Sequence, residues 1–212
     1  MKTVLPPRVI ILRMRGVKLG LPVAVAAIVV AIGVSGASGQ SVTKRAVVVT
    51  DAVDATSNPV DITRASLGRA SRDRLKFSIR GAQDFDASDL IAKKGPPGSI
   101  CLKLWTNSTP PDQVPDYLVC VTSDEDESYR ASVLRERANR LPRRVAKATI
   151  EDEGNRSITL LFRQASIGKP RKLRFAVEST RSGCARISCI DTAPAPTAAP
   201  ELVLRKSSGA SQ

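Results

Sequence analysis

Residues 101–120, CLKLWTNSTPPDQVPDYLVC, decide how this chain folds. Read as a hairpin with Cys101 opposite Cys120, the stretch sets Ile100 against Val121, Leu102 against Val119 and Leu104 against Tyr117. These six side chains share one face, because alternate residues of a strand point the same way. The other face takes the cysteine pair, Lys103 with Leu118, and Trp105 with Asp116. A one-residue slip of either strand would scatter the apolar set over both faces, so the register is well specified. Directly opposed Cα atoms lie about 4.5–5.5 Å apart, within reach of a disulfide. The register that buries an apolar face thus also predicts a Cys101–Cys120 bridge, contributing about 3 kcal/mol by loop entropy.

The remaining pair, Cys184 and Cys189 in GCARISCID, is expected to close a small second loop. Zinc sites use close C-x2–4-C pairs or histidines, and a redox pair reads C-x-x-C. Here the gaps are 18 and 4 intervening residues, so there is no C-x-x-C and no second close pair to complete a zinc site, and the chain has no histidine. That absence also removes Ser-His-Asp and Cys-His catalysis.

Outward from the hairpin, period-two alternation runs from residue 45 to residue 190. RAVVVTD (45–51) reads as a first strand, and strands within PVDITRASLGRAS and RLKFSIRG join near Arg72–Asp73. Leu75, Phe77 and Ile79 share a face, as do Ile158, Leu160 and Phe162, and Leu173, Phe175 and Val177. Residues 129–150 fit a helix from Arg130 to Leu141 or a strand, a loop and a second strand from Val145. Pro142 and the neighbouring strands favour the latter. Short alternating strands separated by turn signals predict an all-β, jelly-roll-like antiparallel sandwich with two disulfides, over residues 43–191. The Ala/Pro-rich tail, 192–212, offers only a possible edge strand at 201–206.

The first 39 residues read as a signal peptide helix: five cations without an acid, the apolar run LGLPVAVAAIVVAIGV, then small residues. The apolar run is interrupted by Pro22 and falls short of the roughly 20 residues of a spanning helix. The expected location is therefore outside the cell, with membrane attachment only if this segment is retained. Removing its five cations from the chain's +13 leaves +8, a bias towards acidic partners. The densest basic run is Arg135, Arg137, Arg140, Arg143, Arg144 and Lys147. It has no interleaved aromatics and the chain is 3% aromatic, so nucleic acid is not expected as a partner. Anionic or neutral polysaccharide is, with a solvated basic face as the simpler reading.

Carboxylates are the remaining chemistry. They gather in DAVDATSNPVDI, DFDASDL and DEDE. Such clusters either keep turns soluble or supply oxygens to Ca2+, which takes six to eight of them in flexible geometry. Asp51, Asp54 and Asp61 are the first choice for such a site, and no other cofactor is expected. Trp105 either packs over the disulfide or stands at the loop rim as a platform for a sugar ring.

The succession TDAVDATSNPVDITRASLG, DRLKFSIRG, ICLKLWT and SITLLFRQASIGKPRKLRFAVES resembles exported bacterial β-sandwiches of the DOMON-like and family 9 carbohydrate-binding-module type. The resemblance implies a sandwich with a loop or outer-face site for sugar or, in some relatives, haem. One tryptophan provides no aromatic sandwich for sugar. With no histidine, and methionine only at Met1 and Met14, the haem-ligating residues of such relatives are missing. The expectation is a secreted, non-catalytic binding or structural module. The alternatives are a carboxylate-based extracellular hydrolase and an envelope-anchored protein that retains its amino-terminal helix.

Overall fold

A computed structural model describes residues 46–55, 58–106 and 109–204. The expected signal segment lies outside them. The strands are β1 (Val47–Thr50), β2 (Ile62–Arg69), β3 (Arg74–Gly81), β4 (Ser99–Thr106), β5 (Tyr117–Ser123) and β6 (Tyr129–Arg137). They continue with β7 (Arg140–Lys147), β8 (Thr149–Gly154), β9 (Ser157–Arg163), β10 (Lys172–Thr180), β11 (Ile190–Ala193) and β12 (Glu201–Val203). One antiparallel sheet has the order β1-β2-β3-β9-β8. The other runs β11-β10-β4-β5-β6-β7, with β12 also paired to β10.

The inner faces of the two sheets close on one core. Leu75, Phe77 and Ile79 of β3 and Ile158, Leu160 and Phe162 of β9 meet Leu102, Leu104, Phe175 and Val177 of the second sheet. The quoted hairpin has the expected register, with Ile100 opposite Val121, Cys101 opposite Cys120 and Leu104 opposite Tyr117. Cys101 and Cys120 are bridged with Cα atoms 4.1 Å apart. The Cys184–Cys189 bridge also forms.

Two local readings change. Residues 129–147 are strand, turn and strand rather than a helix, but the turn is only Ala138–Asn139, where Asn139 takes a positive φ, and the second strand begins at Arg140 instead of Val145. Pro142 is accommodated because β7 is an edge strand, where a missing N–H costs no ladder bond. After β7 the chain crosses at Ala148 into the other sheet as β8. The tail is also not inert beyond residue 191. Thr192 and Ala193 complete β11, and Leu202 and Leu204 are buried in the core.

Strand registers give the sandwich two distinct ends. In the first sheet, Ile62 pairs with Gly81 at one end and Arg69 with Leu75 at the other. In the second, Thr180 pairs with Ser99 at one end and Leu173 with Thr106 at the other. The Ile62 amide donates to Asp191 beside β10, so the first-named ends coincide. Asp84, Asp86 and Asp89 after β3, and Asp124–Glu127 between β5 and β6, also lie at this acidic end. Arg74 pairs with Arg163 at the opposite end of the first sheet. The second sheet joins it there: Gly168, left-handed at φ +78 after the 3-10 turn Gln164–Ile167, packs against the Tyr117 hydroxyl. Tyr117 pairs with Arg135, which carries the β6–β7 hairpin and its arginines to that same basic end.

Candidate metal centre

The loop leaving β1 is fastened to the second sheet before it delivers its carboxylates. The Asp51 amide donates to the Thr63 carbonyl at 3.0 Å. Buried Asn58 donates from Nδ2 to Ser179 Oγ at 2.8 Å, and its Oδ1 accepts from the Val60 amide at 3.1 Å. The Ser179 hydroxyl in turn donates to the Val60 carbonyl. Each polar group of this loop root is thereby satisfied, as buried polar groups require.

Asp61 follows at the threshold of β2. Its carbonyl accepts from the Ala82 amide at 2.8 Å, but its side chain has no such partner. The residue is 0% exposed and, among the described residues, neither carboxylate oxygen receives a hydrogen bond. Asp191, on β11 and 5% exposed, accepts from the Ile62 amide at 2.6 Å through Oδ2. Asp54 approaches from the exposed side. One oxygen from each of Asp54, Asp61 and Asp191 lies within 4.8 Å of the others. No ion pair among the described residues engages any of them or Asp51.

The electrostatics are unfavourable without a cation. Two ionised carboxylates within 4.8 Å of each other repel by about 3 kcal/mol or more at an effective dielectric of about 20. Burial pushes the Asp191 carboxyl up to about 6, and the charges of Asp61, Asp51 and Asp54 push the same way against the Ile62 hydrogen bond. Asp51 is also raised, by burial first and then by Asp54 and Asp61. A buried charge persists only when paired or when it coordinates a metal. The donor set consists of hard carboxylate oxygens, the chemistry of Ca2+ and Mg2+ rather than of zinc or copper.

The other acidic runs are locally satisfied. Asp86 caps the turn Ala87–Leu90, accepting from the Ser88 amide and hydroxyl, while Asp89 accepts from the Asp86 amide. These bonds hold the Asp86 carboxyl below its usual value. Asp126 does the same with Ser128. Asp84 pairs with Arg156 and Asp124 with Arg130.

Of the residues singled out in the sequence, Asp54 and Asp61 come together, and Asp51 adds its charge beside them. Asp191 was missed: it stands 130 positions from Asp61 and arrives only through pairing of β11 with β10. The signal available was an acid two residues after Cys189, on an alternating stretch. Trp105, expected at an exposed rim or over the disulfide, is 2% exposed with its indole N–H donating to the Gln113 carbonyl at 2.8 Å. The ring is a packing element, since neither face is presented to solvent. No protein-family model, curated protein or solved structure matches this chain.

Proposed function

We propose that the chain is a non-catalytic β-sandwich module of the cell exterior, held at one end by a calcium ion on Asp54, Asp61 and Asp191, with Asp51 contributing charge. The observation that carries this reading is Asp61, a fully buried carboxylate with no hydrogen bond and no ion pair among the described residues. Calcium is preferred over magnesium because the three acids belong to a loop and a sheet edge. Flexible oxygen sets suit Ca2+, whereas Mg2+ demands near-ideal octahedra.

A hydrolase using two acids needs carboxylates facing one cleft. The cavity of about 240 Å3 beside Arg74 has no acidic lining residue, and the one of about 280 Å3 beside Trp105 has Glu201 alone. This supports a binding or structural role. Two disulfides favour an oxidising compartment. No helix of the described residues is long and apolar enough to cross a membrane.

Isothermal titration of metal-stripped protein with CaCl2 tests the reading. One calcium per chain, with weaker binding of magnesium, is the expected result. No heat up to millimolar calcium rejects it.

A further inference from the structure

At the basic end, arginines face arginines. Arg135 pairs directly with Arg143 and Arg137 with Arg140 across the β6–β7 hairpin, and Arg74 pairs with Arg163 across β3 and β9. Like charges directly opposed on one face of a sheet repel each other. No ion pair among the described residues relieves these six or Lys147, although Arg137 donates through Nε and Nη2 to the Leu141 carbonyl. Elsewhere several strand cations are partnered: Lys76 with Glu151, Lys103 with Glu178 and Arg130 with Asp124. Arg64 and Arg80 on β2 and β3 form one further opposed pair without an ion pair among the described residues.

The arrangement is a track. Positions 131, 133, 135 and 137 share a face of β6. Ala131 and Val133 use it for the core, and beyond the core the same face carries Arg135 and Arg137. On β6 a step of two residues sets Arg135 and Arg137 about 7 Å apart, while β7 bulges between their partners Arg143 and Arg140. Val133 pairs with Ala146 of β7. Ala146 in turn lines a cleft of about 240 Å3 with Arg74, Lys147 and Arg163. The hairpin arginines thus lead into a concavity walled by three further cations.

We infer that this track binds a linear acidic polysaccharide, its carboxylates taken by the guanidinium forks and one sugar-acid unit seated in the cleft. Guanidinium matches carboxylate in a planar, two-bonded geometry. A groove that ends in a small concave cleft fits a chain better than a flat lipid surface. The hairpin tip offers a lipid surface one well-exposed leucine, Leu141 at 83%. Single-stranded nucleic acid would call for exposed aromatic platforms. Of the aromatics nearby, Phe162 is buried and Tyr117 is packed against Gly168. The inference names a ligand class for the binding module proposed above, and it uses neither the aspartates nor calcium.

Fluorescently labelled oligogalacturonate, titrated with folded protein in calcium and in EDTA, tests it by anisotropy. Wild type is expected to bind in both conditions, to ignore neutral dextran, and to bind more weakly in higher salt. Arg135→Gln/Arg143→Gln, and separately Arg74→Gln/Lys147→Gln, should each lose about tenfold in affinity. Arg64→Gln/Arg80→Gln serves as the control: it removes the same charge from another opposed arginine pair, on β2 and β3 away from the track. It should change affinity less than twofold, and unchanged melting temperatures confirm folding. The inference is overturned by absence of binding, by equal loss in the control pair, or by tighter binding of an oligonucleotide or an anionic vesicle. Failure here with an intact calcium isotherm separates this inference from the metal site.

Discussion

At the acidic end, Asp61 is fully buried without a side-chain partner among the described residues, and Asp191 is almost fully buried with a single hydrogen bond from the Ile62 amide. At the basic end, Arg135, Arg137, Arg140 and Arg143 are all exposed. Both ends crowd like charges, but solvent separates their energetics. Water and salt screen the arginines, so their mutual repulsion is small and a ligand there changes occupancy more than stability. The aspartates have lost that screening, so whatever neutralises them is coupled directly to folding. The same crowding therefore marks a stability switch where it is buried and a contact surface where it is exposed.

The largest break in this symmetry should come from pH. The Asp191 carboxyl is raised to about 6 in the folded protein, against an unfolded value near 3.9. The folded state therefore holds this proton more tightly than the unfolded chain does. In metal-free protein this contribution is greatest below about pH 4, declines as pH rises through about 6, and is level above that. Calcium requires the ionised form. The gap between melting temperatures in calcium and in EDTA should therefore shrink as pH is lowered from 7 to 5. Thermal melts in matched buffers check it, and a gap independent of pH would contradict the assignment of Asp191.

A smaller effect sharpens the other side. Arg135→Gln/Arg143→Gln should raise stability by about 0.5 kcal/mol at low salt through relief of opposed charge. That gain should vanish in 0.5 M NaCl, where the Debye length is about 4 Å. Urea melts at the two salt concentrations measure it. A loss of stability would mean that these arginines have partners in the folded state.

Much of the sandwich could be read from local alternation, because a face buried on one side fixes both strand and register. The Cys101–Cys120 hairpin is the clearest case: Leu102, Leu104 and Val119 leave only one pairing that buries all of them. The β6–β7 hairpin was harder to read. Arg135 to Arg144 extend past the core, so no buried face imposes a period, and charge alone does not distinguish helix from strand. The metal centre was half visible. Asp51, Asp54 and Asp61 are neighbours in sequence. Asp191 joins them through β11, a strand that runs across the boundary into the Ala/Pro-rich tail and is hidden by that composition. What distinguishes this cluster from DFDASDL and DEDE is also tertiary: Ser88 and Ser128 satisfy their neighbouring acids, whereas no hydrogen-bond donor among the described residues reaches the Asp61 carboxylate.

The most direct test compares wild type with Asp61→Asn by melting temperature, each in EDTA and in calcium at about 100 times its dissociation constant. Calcium at that excess stabilises by about 2.7 kcal/mol, a rise of roughly 5–10 °C for a domain of this size. The wild type should show that rise. Asp61→Asn, relieved of its uncompensated buried charge, should melt above wild type in EDTA and respond little to calcium. An Asp61→Asn protein that melts below wild type in EDTA, or that keeps the full calcium response, would contradict the account.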